Sequence, residues 1–205
     1  MGLESHLPLI AILRGITPEE VDAHVAALIE CGLGLIEIPT NSQDWKRSVE
    51  LALKSAGSRA LIGAGTVLTI DDANALADTG AKLMVTPNAD PEVIAGAMRR
   101  GLYCAAGFAT ATEAFIALKA GAQALKIFPA THFGPQYIRA LKAVLPRDVP
   151  LFAVGGITPA NLPDYLGAGC HGAGLGSDLY TAGQSPEQTR ARAMSFVDAF
   201  RNHRR

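Results

Sequence analysis

A chain of 205 residues with 49% hydrophobic side chains and a formal net charge of -1 has the length and apolar content of one soluble domain, residues 1–205, with a full core. Its 18 basic and 19 acidic side chains leave no excess charge to grip nucleic acid or an anionic membrane, so the expected partners are small molecules or proteins. Cys31, Cys104 and Cys170 are odd in number and widely spaced, which disfavours a disulfide framework or a zinc site and points to thiols packed in a reducing, cytoplasmic setting.

Met1-Gly2-Leu3 opens like a myristoylation signal, but His6 stands where serine or threonine is needed and no apolar signal core follows, so neither a lipid anchor nor a leader is expected. From there the chain alternates. Short apolar runs at residues 9–13, 35–38, 61–66, 83–86, 103–106, 124–128, 151–154 and 173–176 read as strands. Between them lie segments with helical apolar spacing, for example 21–29, 73–77, 94–98 and 115–118, and a last one over about 186–200. Helix stops at Gly32, Gly57, Gly80, Gly101, Gly121, Pro146 and Gly169 recur every 20 to 25 residues, so the chain repeats one strand–helix unit. Thr17-Pro18, Thr158-Pro159 and Ser185-Pro186 supply helix starts, each placing an N-cap before proline. Eight alternating units imply an α/β fold with a parallel sheet closed as a (β/α)8 TIM barrel, near the short end of its usual length range and with little room for a long lid. An open doubly wound sheet would share the alternation, but no Gly-x-Gly-x-x-Gly follows the first strand.

In such a barrel the chemistry gathers at the C-terminal strand ends. The first strand ends in Arg14, the second carries Glu37, the third ends in Thr66, the fourth in Thr86-Pro87, and the sixth holds Lys126. Because side chains alternate, Leu35, Glu37 and Pro39 share one face and Ala124, Lys126 and Phe128 another, while Ile36, Ile38, Leu125 and Ile127 pack outward on helices. Glu37 and Lys126 are therefore expected to point into the barrel. A buried lysine needs a reason, since burial disfavours its ammonium form and the neutral amine is a nucleophile. The residues alone leave two readings open: a catalytic acid/base and amine, or a buried ion pair that neutralises itself. Val154-Gly155-Gly156 and Gly174-Leu175-Gly176-Ser177 follow strands seven and eight, where barrels bind phosphate. Ser177 is expected to open a short helix there, although the glycines could equally only make tight turns. His6, His24, His132 and His171 have no metal-ligand spacing and read as surface or loop residues. Trp45 with Lys46 and Arg47 is expected at the second helix, as a cap or a subunit contact.

Eight motifs now coincide with one family. Ile10-Ala11-Ile12-Leu13-Arg14-Gly15, Ile36-Glu37-Ile38-Pro39, Gly63-Ala64-Gly65-Thr66-Val67-Leu68, Val85-Thr86-Pro87-Asn88, Leu125-Lys126-Ile127-Phe128-Pro129, Phe133-Gly134-Pro135-Gln136-Tyr137, Ala153-Val154-Gly155-Gly156 and Gly174-Leu175-Gly176-Ser177 together resemble the class I aldolases of 2-keto-3-deoxy-6-phosphosugar acids over essentially the whole chain. The resemblance implies a TIM barrel, a homotrimer, no metal and no cofactor. It assigns imine formation to Lys126 and acid/base work to Glu37, with products pyruvate and glyceraldehyde 3-phosphate. It gives Arg14 and Thr66 to the carboxylate or nearby oxygens, Gly155, Gly156, Gly176 and Ser177 to the phosphate, and Pro87 and Phe128 to the walls around the pyruvyl unit. Members specific for the gluconate epimer generally carry arginine and threonine where this chain has Asn41 and Val154. The galactonate epimer is therefore the expected substrate, with the gluconate epimer as the alternative. A phosphate-binding barrel isomerase and a non-catalytic phosphosugar-binding barrel are the more distant readings.

Overall fold

The computed structural model describes residues 5–203; the N-terminal Met1-Gly2-Leu3 reading and the final arginines lie outside them. Eight strands alternate with eight helices. The strands are β1 (Leu9–Ile12), β2 (Leu35–Pro39), β3 (Leu61–Gly65), β4 (Leu83–Val85), β5 (Tyr103–Phe108), β6 (Ala124–Ile127), β7 (Leu151–Val154) and β8 (Gly172–Leu175). The helices are α1 (Val21–Glu30), α2 (Trp45–Ala56), α3 (Ile70–Asp78), α4 (Pro91–Arg99), α5 (Ala111–Lys119), α6 (Ala130–Lys142), α7 (Leu162–Gly167) and α8 (Pro186–His203). Every neighbouring pair is parallel, and β8 pairs with β1, closing the barrel in chain order.

Period-two alternation sorts the strand residues into two apolar layers. Outward residues such as Ala11, Ile36, Ile38, Ala64, Leu125 and Ile127 join the helices in the larger cluster. Inward residues Ile10, Ile12, Leu35, Leu83, Val85, Ala105, Ala124, Phe152 and Val154 fill the barrel. Burial on both faces is why the strands read as nearly continuous apolar runs. The predicted glycine stops all adopt positive φ, from 55° at Gly57 to 104° at Gly121, conformations that glycine reaches without a Cβ penalty at a helix end. Some helix starts are equally local: α5 has a full capping box between Thr110 and Glu113, and Asp90 accepts from Glu92 and Val93 ahead of Pro91. The starts expected at Thr17-Pro18 and Thr158-Pro159 fall about one turn early: those residues form turns, and α1 and α7 begin at Val21 and Leu162 behind Glu20 and Asn161. At α8, Ser185 and Gln188 exchange backbone and side-chain hydrogen bonds of 3.1 and 3.3 Å.

Several expectations need correction. The ladder stops one residue early at β1, β3, β4, β6 and β8, so Arg14, Thr66, Thr86, Phe128 and Gly176 lie just beyond strand ends, freed from the alternation. Helix α6 breaks at Gly134 (φ 74°, ψ 169°), and Pro135 begins its second half. His132 lies in α6 instead of a loop, and His24 is buried. Trp45 neither caps nor protrudes: it is packed in the core, with the Lys46 ammonium 5.7 Å from its ring centre. No described helix is long and apolar enough to cross a membrane.

Candidate active site

At the C-terminal end of the barrel a cavity of about 560 Å³ opens over the inward faces of the strands. Its lining includes all eleven residues expected at the site: Arg14, Glu37, Thr66, Pro87, Lys126, Phe128, Val154, Gly155, Gly156, Gly176 and Ser177. Ile12, Ile157, Asp178, Tyr180, Thr181 and Ala182 complete the wall.

Lys126 and Glu37 take their orientation from the pleat. Ala124 and Leu35, two residues earlier on each strand, belong to the interior cluster, so both ionisable side chains enter the same space. Lys126 is 7% exposed and Glu37 2%. Room for them comes from small residues on the neighbouring strands: Lys126 is paired with Gly107, and Glu37 with Gly63. A Cβ on Gly65 would fall 2.1 Å from the Glu37 carboxylate, so Gly65 is required for Glu37 to sit where it does. From sequence Gly65 stands only as one glycine of the Gly63-Ala64-Gly65 run, because its contact with Glu37 on the neighbouring strand is not visible there.

The pair is close enough to couple electrostatically, yet among the described residues it makes no ion pair within 4.0 Å. Glu37 Oε2 is buried without a hydrogen-bond partner. The self-neutralising ion pair is therefore not what the structure contains. Desolvation pushes the Glu37 carboxyl up from its ordinary 4.5, against the opposing pull of Lys126 and Arg14. Desolvation also drives the Lys126 amine down from 10.5, with Arg14 adding to the effect and Glu37 opposing it. Each shift favours the neutral form, which for lysine is the nucleophile and for glutamate a proton donor. The Phe128 ring lies 5.1 Å from Lys126 Nζ and offers the amine an aromatic wall in place of a counter-ion.

Arg14 is held in a fork. Its Nη1 donates to Asn41 Oδ1 at 2.5 Å and its Nη2 to Thr66 Oγ1 at 3.4 Å. Thr66 adopts φ 57°, a costly conformation for a β-branched residue and one that clusters at functional sites. Thr40 holds it there: its hydroxyl donates to the Thr66 carbonyl at 2.7 Å and its N–H to the Gly65 carbonyl at 2.8 Å. Ser42 Oγ accepts from the Gly15 N–H at 2.9 Å. Thr40, Asn41 and Ser42 thus bracket the ends of β1 and β3 from the loop after β2. From sequence Asn41 stands out only as a departure from relatives; its contact with Arg14 depends on loop geometry that periodicity does not report.

On the opposite side, Gly155 and Gly156 have φ 99° and 73° and run against Pro129 and Thr131; a Cβ on Gly156 would lie 2.7 Å from the Thr131 side chain. These two glycines do make a tight turn. Gly176 is different: its φ is ordinary and a Cβ there would meet nothing within 4 Å, so its missing side chain leaves space in the cavity wall. Ser177 opens a single turn, with Leu179 and Tyr180 N–H groups donating to the Gly176 carbonyl, instead of the expected short helix. The Thr86 hydroxyl turns to Asn88 Oδ1 at 2.9 Å, leaving Pro87 to line the cavity.

The architecture and the pocket together define a class: a parallel (β/α)8 barrel with a buried amine and a carboxyl at one glycine-walled mouth. The family model "Aldolase: KDPG and KHG aldolase" matches residues 4–194. The chain is 58% identical to 2-dehydro-3-deoxy-6-phosphogalactonate aldolase of Escherichia coli (strain K12) over 201 residues, 98% of each protein. Against 2-dehydro-3-deoxy-phosphogluconate aldolase of Treponema pallidum (strain Nichols) identity is 30% over 163 residues, 78% of this chain and 77% of that one. The solved "Native KDPGal structure" superposes with a TM-score of 0.95 at 59% identity over 96% of each chain. The chain belongs to the KDPG and KHG aldolase family.

Proposed function

We propose that the protein is a class I aldolase that reversibly cleaves 2-dehydro-3-deoxy-6-phosphogalactonate to pyruvate and D-glyceraldehyde 3-phosphate through an imine on Lys126. The observation that carries this reading is the Lys126 amine, buried and with its pKa lowered by desolvation so that the neutral nucleophile becomes accessible, facing a 560 Å³ cavity together with an unpartnered carboxyl oxygen of Glu37. The neutral amine adds to the C2 carbonyl carbon, and loss of water gives an iminium. Glu37 takes the C4 hydroxyl proton, the C3–C4 bond breaks, and its electron pair enters the iminium to form an enamine as the aldehyde departs. Protonation at C3 and addition of water return pyruvate and the free lysine, with Glu37 giving back the proton it took. The Arg14–Thr66 fork supports carboxylate binding next to the amine. Pro87 and Phe128 wall the pyruvyl unit, and Gly155, Gly156, Gly176 and Ser177 hold the phosphate at the far side of the mouth. Pyruvate release from the galactonate epimer, followed with a coupled dehydrogenase, tests the activity; no release by folded protein contradicts it.

Val154 is the proposed determinant of epimer choice. It lines the cavity and points inward beside Gly174, and its methyl groups cannot hydrogen-bond a hydroxyl. Val154→Thr should shift the ratio of kcat/KM for the two C4 epimers towards the gluconate epimer by about tenfold, the scale of one pocket contact. An unchanged ratio would remove Val154 from this role.

We also propose a cytoplasmic homotrimer. The free thiols of Cys31, Cys104 and Cys170 suit a reducing compartment. Leu68, Ile70, Phe115 and Ile116 expose large apolar side chains at the start of α3 and on α5, surface of the kind that association covers. Light scattering should give about 64 kDa, three times the 21.4 kDa chain; a monomer mass contradicts the assembly.

A further inference from the structure

The loop joining β8 to α8 is held from behind by a buried chain of polar side chains that the reaction does not use. Gln184 lies near the end of this loop, 8% exposed, and its amide is saturated. Its Oε1 accepts from the N–H and the hydroxyl of Thr181 at 3.0 and 3.1 Å. Its Nε2 donates to the Leu179 carbonyl at 2.9 Å and to Thr189 Oγ1 at 2.6 Å. Because a carbonyl only accepts, the Leu179 contact fixes which way round the amide sits. Thr189, fully buried in α8, lies 2.8 Å from His24 Nδ1 on α1 and 3.5 Å from the Ser185 carbonyl. The His24 ring in turn stands edge-on to Tyr180, centroids 5.0 Å apart. Tyr180 and Thr181, the two residues this chain grips, are both part of the cavity wall. A second tie from α8, Arg192 to the Ser177 carbonyl at 3.2 Å, holds the start of the same loop.

Buried polar chains contribute little net stability compared with apolar packing of the same shape, and their return is a single fixed arrangement. Here the fixed object is the loop that carries Gly176 and Ser177. We propose that Gln184, backed by Thr189 and His24, is a positioning residue for the phosphate end of the substrate, holding the loop after β8 at the distance from Lys126 that the phosphosugar chain requires. The proposal rests on the reading that the phosphate binds at this loop.

The test compares aldehydes with and without phosphate in the condensation direction. In full-length Gln184→Leu and Thr189→Val, KM for glyceraldehyde 3-phosphate should rise about 10- to 100-fold, the usual consequence of a small misplacement of a binding group. KM for unphosphorylated glyceraldehyde, and exchange of pyruvate methyl protons into D2O, should stay within about twofold of wild type, because neither uses the phosphate. Thr189→Ser, which keeps the hydroxyl, should restore the wild-type value, and it also reports if the valine variant fails to fold. The proposal is overturned if KM for both aldehydes rises together, if pyruvate exchange falls in parallel, or if no KM moves. A wild-type enzyme without preference for the phosphorylated aldehyde overturns the phosphate placement, and this proposal with it, while leaving imine chemistry to be read from the pyruvate exchange.

Discussion

Lys126→Ala is expected to eliminate aldol cleavage, lowering kcat by about 10⁵-fold or more, since among the described residues no other side-chain amine lines the cavity to form the imine. The same change should leave the barrel folded. The Lys126 amine makes no hydrogen bond or ion pair among the described residues, and the ladders joining Lys126 to Gly107 and Phe152 are made by its backbone, not its head group. Truncation removes a desolvated amine at the edge of an existing cavity, so the usual cost of a new void is small. A thermal melt should show Tm unchanged or raised, with activity gone. Loss of Glu37's strongest positive neighbour should also push that carboxyl further up. Residual turnover within a hundredfold of wild type would place the chemistry elsewhere.

Glu37→Gln should reduce kcat by about 10²- to 10⁴-fold, the range for losing a positioned acid/base, while KM changes far less. It should not prevent Lys126 from condensing with pyruvate. The pH dependence carries the sign of the desolvation. A carboxyl whose pKa is raised loses its base form as pH falls through that raised value, so the acid limb of kcat/KM should lie well above 4.5. The lysine shift runs the other way, so its neutral form appears well below pH 10.5. The two groups share one field and titrate as a pair. In Glu37→Gln the limb that belongs to the carboxyl should vanish, leaving the lysine's; an acid limb at the ordinary carboxylate position in wild type would contradict the burial argument.

The placement of these two groups was readable from sequence because a strand's alternation is a strong geometric constraint. Once Leu35 and Ala124 are assigned to the interior, Glu37 and Lys126 follow two residues later. The helix stops were readable for a similar local reason, as the positive φ values of Gly32 and Gly80 illustrate. What sequence did not yield is held by contacts between loops. Thr66 is strained because Thr40, 26 residues away, grips its carbonyl, and Arg14 is aimed by Asn41 at a separation of 27. Tyr180, Thr181 and Ala182 reach the cavity because Gln184 folds their loop back. His24 looks like ordinary surface from sequence because its partner Thr189 is 165 positions away. Trp45 failed similarly: a tryptophan beside Lys46 and Arg47 looks peripheral until the helix face it occupies is known.

One measurement bears most directly on the imine. The protein is incubated with pyruvate, reduced with borohydride, digested and examined by mass spectrometry. The account predicts a stable reduced pyruvyl adduct on the peptide containing Lys126 and on no other, absent in Lys126→Ala and still formed in Glu37→Gln. Folded wild-type protein that turns substrate over without acquiring that adduct would contradict the account and leave Lys126 only an electrostatic role, as in a barrel isomerase.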